Sequence, residues 1–151
     1  MKRKKIILYV LLSVLVIGGA VGIYIYKEYN RAHKDTAGLK PDFTVAANDL
    51  LKEFENNEQA SNKKYWDKVL SVEGMVKDVT RDDRGFYSVI LGDTSSLSSV
   101  RCSIDSIHGN EAASVKRGHI VSVKGICSGY NADDMLGSDI ILVRSVIGQK
   151  K

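Results

Sequence analysis

The stretch VLSVEGMVK, residues 69–77, decides the fold. Its apolar side chains Leu70, Val72 and Val76 recur at even positions, with mostly polar side chains between them. A period of two is typical of a strand that buries one face. Gly74, on the apolar face, suits a sharp bend or a bulge. The stretch therefore predicts the first strand of a β domain.

Four more stretches downstream have the same period, and a short helix is predicted near residues 110–115. The apolar faces of these strands comprise Tyr87, Val89 and Leu91; Val100, Cys102 and Ile104; Val121, Val123, Gly125 and Cys127; and Ile141, Val143, Ser145 and Ile147. Five short strands with a small helix between the third and fourth predict a closed five-stranded Greek-key barrel, the OB-fold, over residues 69–151. An open sheet with a helix packed on it is the alternative.

Upstream of the barrel, residues 44–68 predict a helix and a connector. Asp42 or Thr44 can cap this helix, which we expect to end near Asn57. Its apolar face has helical spacing and comprises Val45, Ala47, Leu50, Leu51 and Phe54. An amphipathic helix of this kind is most simply packed on the adjoining domain.

The amino-terminal run Ile6 to Tyr26 contains 21 residues without a charge. At about 1.5 Å of rise per residue, a helix of this length covers the roughly 30 Å of a bilayer's hydrocarbon core. We therefore predict a transmembrane signal anchor over residues 6–26. A buried core helix would need more apolar mass around it than the chain supplies.

A cleaved signal peptide is the main alternative to the anchor. Its apolar region is usually about 7 to 15 residues long and ends at a small-x-small site, whereas this run ends at Tyr24, Ile25 and Tyr26. A lipoprotein signal needs a cysteine just after the run, and the first cysteine is Cys102.

Flanking charge predicts the orientation of the anchor. Residues 1–5 carry Lys2, Arg3, Lys4 and Lys5 without an acid, so they form a cytoplasmic basic flank by the positive-inside rule. The tether 27–43 and the domain after it are then extracytoplasmic, on the periplasmic side of the inner membrane in a Gram-negative cell.

The net charge of +4 resides in that flank, because the rest of the chain has 18 basic and 18 acidic residues. From Val69 to Ile147 the balance is 8 − 10 = −2. Domains that track phosphates usually present a basic surface, so the balance argues against nucleic acid as the partner.

Three strings carry a resemblance to a known family: NEQASNKKYWDKVLSVEGMV from Asn57 to Val76, VRCSI around Cys102, and GHIVSVKGICSGY from Gly118 to Tyr130. Together they resemble the bacterial tRNA anticodon-binding-like proteins over roughly residues 33–147. The resemblance implies an OB-fold after an amino-terminal helix, with a membrane anchor or lipoprotein signal. It implies no established activity. Members often have a cysteine in the last strand, where this chain has Ser145.

Cys102 and Cys127 both fall on inward faces of predicted strands. Outside the cytoplasm they could form a disulfide, and closing the 24 residues between them would stabilise the fold by roughly 3 to 4 kcal/mol. Two buried free thiols are the alternative, because free cysteine behaves as a small hydrophobe. If relatives pair one of these cysteines with a last-strand cysteine, Ser145 leaves that cysteine free here.

No motif predicts catalysis, a metal or a cofactor. GxSxG, Walker A, HExxH and glycine-rich dinucleotide motifs do not occur. His33, His108 and His119 are too dispersed for a metal pair, and we predict solvated side chains. The pairs Asp82–Asp83 and Asp133–Asp134 are most simply solvated turns.

OB barrels bind on the face of their second and third strands and on the adjacent loops. The candidate ligand-binding residues are Phe86, Ser88, Ile90, Arg101, Ser103 and Tyr130. Exposed aromatic side chains suit bases, proteins and glycans alike.

These patterns predict a noncatalytic, membrane-anchored OB-fold module of the cell envelope that binds a protein, peptide or oligosaccharide. Single-stranded nucleic-acid binding through the same face is the alternative, and a structural spacer or assembly element is the third hypothesis.

Overall fold

The computed structural model describes residues 17–26, 35–133 and 135–148. The chain divides into two compact units, Met1–His33 and Lys34–Lys151. In the first unit, residues 17–26 form a helix, α1. Residues 6–16 of the predicted anchor and the basic flank lie outside the described residues. In the part of the chain that is described, no helix has both the length and the apolar character needed to cross a bilayer.

The second unit contains six strands and three helices among its described residues. In chain order they are β1 (Phe43–Ala46), α2 (Ala47–Asn56), α3 (Glu58–Tyr65), β2 (Val69–Arg81), β3 (Tyr87–Leu91), β4 (Ser99–Ile104), α4 (Gly109–Ser114), β5 (Ile120–Asn131) and β6 (Asp139–Gly148), with 3-10 turns at Thr36–Gly38 and Ser106–His108.

Strands β2 to β6 form a closed barrel. The first half of the long strand β2 pairs antiparallel with β5, and its second half pairs antiparallel with β3. The order continues from β3 to β4, then to β6 in parallel, and from β6 back to β5. This is the predicted OB-fold, with α4 between its third and fourth strands. Strand β1 adds a short parallel strand beside β2.

Gly74 contributes to β2 in a different way from the predicted bend. A Cβ built on it would lie 2.8 Å from the Cβ of Ala47, so glycine here allows the start of α2 to approach the barrel closely. The bulge in β2 falls farther along, between Val76 and Asp78. Buried side chains of α2, including Leu50 and Phe54, then join the barrel core.

The region before the barrel differs from the prediction. Val45 lies on strand β1, and neither Asp42 nor Thr44 caps α2, whose N-cap is Ala46. The Asp42 carboxylate instead accepts the backbone N–H of Val69 at 2.9 Å. A second helix, α3, was missed. It is capped by the side chain of Asn57, which accepts the N–H of Ala60 at 3.0 Å.

The predicted inward face of the last strand is wrong in its first half. Ile140 and Leu142 are fully buried, whereas Ile141 and Val143 are only half-buried. Arg144 has a positive φ of 49°, which interrupts the alternation. After this irregularity Ser145 points inward as predicted, and its side chain is fully buried.

Candidate functional site

The outer face of β3 and β4 holds four of the predicted site residues together. Ser88 lies opposite Ser103, and Ile90 lies opposite Arg101. All four side chains are half-buried. Residues directly opposite each other on antiparallel strands have Cβ atoms about 5 Å apart. The strands therefore present a small continuous surface of two hydroxyls, one aliphatic side chain and one guanidinium.

Arg101 is neutralised on this face by an ion pair. Its Nη2 lies 3.0 Å from Oδ2 of Asp139 at the start of β6. The other carboxylate oxygen of Asp139 accepts a hydrogen bond from the hydroxyl of Ser99. Because the carboxylate is shared in this way, Arg101 is held in one position and the centre of the face has little net charge.

The β2–β3 loop, residues 82–86, borders this face. The Oδ1 atom of Asp82 accepts the backbone N–H groups of Arg84 at 2.9 Å and Phe86 at 2.8 Å. Gly85 has φ +90°, a conformation that L side chains rarely adopt. The turn predicted for this string is confirmed, and it projects the side chain of Phe86, which is 47% exposed.

Two arginines lie over aromatic rings at this loop. The guanidinium carbon of Arg81 is 5.3 Å from the ring centroid of Tyr87, and that of Arg84 is 6.0 Å from the ring centroid of Phe86. Both distances fall within the range of cation–π contacts. Sequence reasoning missed Arg81, Arg84 and Tyr87, although the hairpin register pairs Arg81 directly with Tyr87.

Tyr130 does not belong to this face. Its ring stacks on Phe54 of α2, with centroids 5.0 Å apart and planes 28° from parallel. A register shift between Cys127 and Gly129 turns the end of β5 toward the helix. The structure therefore does not bring Tyr130 together with the other five candidate residues.

Cys102 and Cys127 are free and buried. Both pair in register with Leu142 of β6, on either side of it. Two strand spacings separate their Cα atoms by about 10 Å, whereas a disulfide spans about 7 Å at most. This geometry fits the alternative of two buried thiols. Burial raises the pKa of both, so neither is an activated nucleophile.

Ser145 lies in the last strand, where the family resemblance implies a cysteine in relatives, and its buried hydroxyl has no hydrogen-bond partner among the described residues. A Cβ on Gly125 would come within 2.4 Å of this hydroxyl oxygen, so Ser145 fills space that the glycine leaves in the barrel.

His108 is not the solvated side chain that we predicted. Its Nε2 lies 3.2 Å from Asp35, and its Nδ1 lies 3.4 Å from Glu111. Burial opposes a charge on the ring, but the hydrogen bonds to the two carboxylates outweigh it and raise the pKa of His108. Within the described ranges, no group of three or more His, Cys, Asp or Glu is arranged to hold a metal. The contacts of His108 therefore fasten residue 35 to the barrel.

Comparisons with known proteins agree with this fold. No match was found among curated proteins. Among solved structures, a Klebsiella pneumoniae protein provisionally named a nucleic acid-binding lipoprotein matches 78% of this chain and 99% of its own, with 15% identity and a TM-score of 0.55. An OBody bound to hen egg-white lysozyme matches 58% of this chain and 88% of its own, with 18% identity and a TM-score of 0.43.

The asparaginyl-tRNA synthetase of Entamoeba histolytica matches 54% of this chain but only 20% of the synthetase, with 11% identity and a TM-score of 0.38. The model of the tRNA_anti-like family matches residues 1–145, nearly the whole chain. The resemblance seen in the sequence is thereby confirmed, and the chain belongs to the tRNA_anti-like family.

Proposed function

We propose that this chain is a noncatalytic binding domain that takes single-stranded nucleic acid on the β3–β4 face and the β2–β3 loop. The observation that carries the proposal is the exposed ring of Phe86 with Arg84 over it, beside the contact of Arg81 with Tyr87, whose ring packs against the core. Bases stack on aromatic and guanidinium planes regardless of their sequence, and the guanidinium also attracts phosphate.

The net charge of the barrel argued against nucleic acid as the partner, but a net charge averages over surfaces that differ in their local charge. The balance of −2 counts Asp82, whose carboxylate already accepts two backbone N–H groups and lies 3.9 Å from Nε of Arg84. Local distribution matters more than the sum, because a ligand within a Debye length of about 10 Å responds to the nearest charges. Arg81 and Arg84, next to exposed Phe86, place two guanidinium groups and an aromatic ring at this end of the face, although Asp82 and Asp83 balance their charge.

Two comparisons are consistent with the proposal. The Klebsiella lipoprotein has a provisional name that mentions nucleic acid. The family name refers to tRNA anticodon-binding domains, which are binding modules rather than catalytic ones. These names belong to other proteins, and at 15% identity the likeness to the first concerns the fold.

The location of the domain is also part of the proposal. The uncharged run from Ile6 to Tyr26 supports a transmembrane anchor, and Lys2 to Lys5 support a cytoplasmic amino terminus. The binding domain then lies outside the cytoplasm, where the ligand would be extracellular or envelope nucleic acid instead of tRNA. A reporter fused after Lys151 that is active only outside the cytoplasm tests this orientation, and cytoplasmic activity contradicts it.

Fluorescence anisotropy of a labelled oligo(dT) strand with the full-length chain tests the ligand. We expect binding at low salt that weakens as salt rises. Phe86→Ala should reduce the affinity by about fivefold to a hundredfold, since stacking contributes about 1–3 kcal/mol per base. Lys52→Ala is the control, because Lys52 is an exposed basic residue on α2, outside the face. Absence of binding at low salt contradicts the proposal.

A protein, peptide or oligosaccharide is the second candidate ligand for the face. The ion pair of Arg101 with Asp139 favours it, because that pair leaves the centre of the face nearly neutral. In that case Phe86→Ala and Lys52→Ala should affect oligonucleotide binding equally little.

A further inference from the structure

A second surface lies at the other end of the face, where the loop of residues 92–98 meets the β5–β6 loop. Leu97, Met135 and Leu136 are exposed by 71%, 85% and 77%. In residues 35–133 and 135–148, no other large apolar side chain is as exposed as these three. We call Leu97, Met135 and Leu136 the apolar tip.

Hydrogen bonds fix the backbone of the apolar tip. Oδ1 of Asp133 accepts the backbone N–H groups of Met135 and Leu136, both at 2.8 Å. Ser98 links the two loops, because its hydroxyl oxygen accepts the N–H of Ser138 at 3.1 Å and donates to Glu55 at 3.0 Å. The apolar side chains are therefore presented on an ordered turn, which lowers the entropy that a partner must overcome on binding.

The surroundings of the tip are acidic. Residues 92–98 and 131–139 contain four aspartates, of which Asp139 is paired with Arg101, and no lysine or arginine. Lys52 of α2 lines a neighbouring pocket with Glu55 and Ser98. The ammonium of Lys77 reaches the first loop from β2, but it donates to the carbonyls of Ser96 at 2.7 Å and Ser98 at 3.0 Å. The ammonium of Lys77 therefore stabilises the loop of residues 92–98 through these two hydrogen bonds and is not presented to a ligand.

A cleft of about 430 Å³ adjoins the tip. Its lining includes the side chains of Glu55, Glu58 and Asp133, beside Tyr130 and Phe54. Among the described residues, none of these three carboxylates has a basic side chain within ion-pair distance. The cleft is large enough for one or two long side chains, and its charge selects cations and repels phosphate.

From this geometry we propose that the apolar tip and its cleft form a docking surface for a basic, aliphatic segment of a partner protein. Aliphatic side chains of the segment cover the tip, and a lysine or arginine enters the cleft beside Glu58. Charge complementarity selects this occupant, since a nucleic acid or an anionic lipid is repelled by the same carboxylates. The surface is separate from the nucleic-acid site and does not rest on it.

The apolar tip and the contact of Asp35 lie at opposite ends of β4. The described part of the barrel unit begins at Asp35, which contacts His108 just beyond the end of β4, whereas Leu97 and Ser98 come just before β4 begins. The length of β4 therefore separates the tip from the point where the chain joins the barrel.

Anisotropy with labelled synthetic peptides tests the surface, using the full-length chain in nanodiscs of zwitterionic lipid. The probes are a peptide of alternating leucine and arginine, and matched leucine–glutamate and serine–arginine peptides. We expect the leucine–arginine peptide to bind at least about tenfold more tightly than either control, because it alone supplies both apolar burial and positive charge.

The double substitution Met135→Ser and Leu136→Ser should weaken the leucine–arginine peptide by about tenfold or more. Glu58→Gln should weaken it by about threefold, in line with a partly exposed ion pair. Phe86→Ala is the matched control and should leave peptide affinity unchanged, just as the double substitution should leave oligonucleotide affinity unchanged. This reciprocity separates failure of the tip from failure of the nucleic-acid site.

Equal affinity for the leucine–arginine and leucine–glutamate peptides overturns the proposal, as does an equal loss with Phe86→Ala. Analytical ultracentrifugation tests whether a second copy of the chain, instead of a partner protein, occupies the apolar tip. Self-association of the native chain that disappears in the double variant, without peptide binding, assigns the tip to that copy and also overturns the proposal.

Discussion

The β2–β3 and β5–β6 loops are built alike and present opposite chemistry. Each contains two consecutive aspartates, Asp82–Asp83 and Asp133–Asp134. In each, Oδ1 of the first aspartate accepts two backbone N–H groups at 2.8 or 2.9 Å. Each also contains a glycine of nearly the same positive φ, +90° at Gly85 and +85° at Gly137.

The difference lies in the side chains that the two turns present. The β2–β3 loop presents an arginine over an aromatic ring, and the β5–β6 loop presents Met135 and Leu136 beside carboxylates. An aspartate that accepts neighbouring backbone N–H groups fixes a turn whatever side chains the other residues of that turn carry. Turn geometry and ligand chemistry are therefore encoded by different residues, and one barrel can carry two recognition surfaces of different chemistry.

The largest difference between the loops is expected at their glycines. A Cβ on Gly137 would lie 2.5 Å from the carbonyl carbon of Leu97, whereas a Cβ on Gly85 would meet only the guanidinium of Arg81, at 3.2 Å. Both substitutions by alanine carry the cost of a positive φ, about 1–2 kcal/mol. Gly137→Ala adds a clash with backbone and should lower the free energy of unfolding by about 3 kcal/mol or more.

Urea unfolding of residues 34–151, followed by circular dichroism, measures both variants. Gly85→Ala is the matched control at about 1 kcal/mol, because the end of the Arg81 side chain can move aside. Equal losses for the two variants would show that the contact between the loop of residues 92–98 and the β5–β6 loop does not contribute to stability.

A smaller effect is expected from the aspartates. Asp82→Ala and Asp133→Ala each remove two accepted hydrogen bonds on the surface, and each should lower the midpoint of thermal unfolding by about 4 °C or less. The binding effects should be reciprocal: Asp82→Ala weakens only the oligonucleotide, and Asp133→Ala weakens only the leucine–arginine peptide. Loss of both ligands in either variant would mean that the two loops are coupled through the barrel.

Much of the barrel could be predicted from the sequence because burial of one strand face is a local property. Leu70, Val72 and Val76 alternate, and all three are fully buried. The prediction fails where one residue changes the alternation without a local signal. Arg144 takes a positive φ in the middle of β6, and neither glycine nor asparagine marks it. Val45 has the spacing of the apolar face of α2 in the sequence, so it was predicted to lie on that helix, although it lies on the four-residue strand β1.

The candidate face could also be predicted, because strand alternation and the fold together specify which side chains point outward. Ser88, Ile90, Arg101 and Ser103 lie where we expected them. Tyr130 does not, since the register shift near Cys127 is a tertiary feature of the β5–β6 pairing. The arginine–aromatic contacts depend on the register of the β2–β3 hairpin. The turn predicted at Gly85 could have been used to predict that register from the sequence. The apolar tip depends on two loops meeting, which no local pattern predicts.

The smallest expected effect concerns the contact that fastens residue 35 to the barrel, at the end of β4 away from the apolar tip. The carboxylates of Asp35 and Glu111 raise the pKa of His108 above its usual 6.5, despite partial burial of the ring. A hydrogen bond from the backbone N–H of Ala37, with further help from His108 and Lys124, lowers the pKa of Asp35 below its usual 3.8. His108 and Asp35 are therefore both charged at pH values above the pKa of Asp35 and below the pKa of His108.

The sign of the pH dependence follows from these directions. A histidine whose pKa is raised on folding stabilises the fold fully below its unfolded value, near 6.5, and loses that contribution as the pH rises through the folded value. His108→Gln should therefore lower the thermal midpoint of residues 34–151 at pH 5.5 and have little effect at about pH 9. His119→Gln is the control, because His119 is exposed and follows α4 in the sequence, whereas His108 precedes it.

A difference between native chain and His108→Gln that stays constant with pH would show that His108 acts by packing alone. Neither loop has a histidine, so the oligonucleotide and peptide affinities should not follow this transition. If one of them does, the contact at residue 35 is coupled to that loop. Since a Cβ on Gly109, next to His108, would lie 3.6 Å from the ring of Tyr87, the oligonucleotide surface is where such coupling should be sought first.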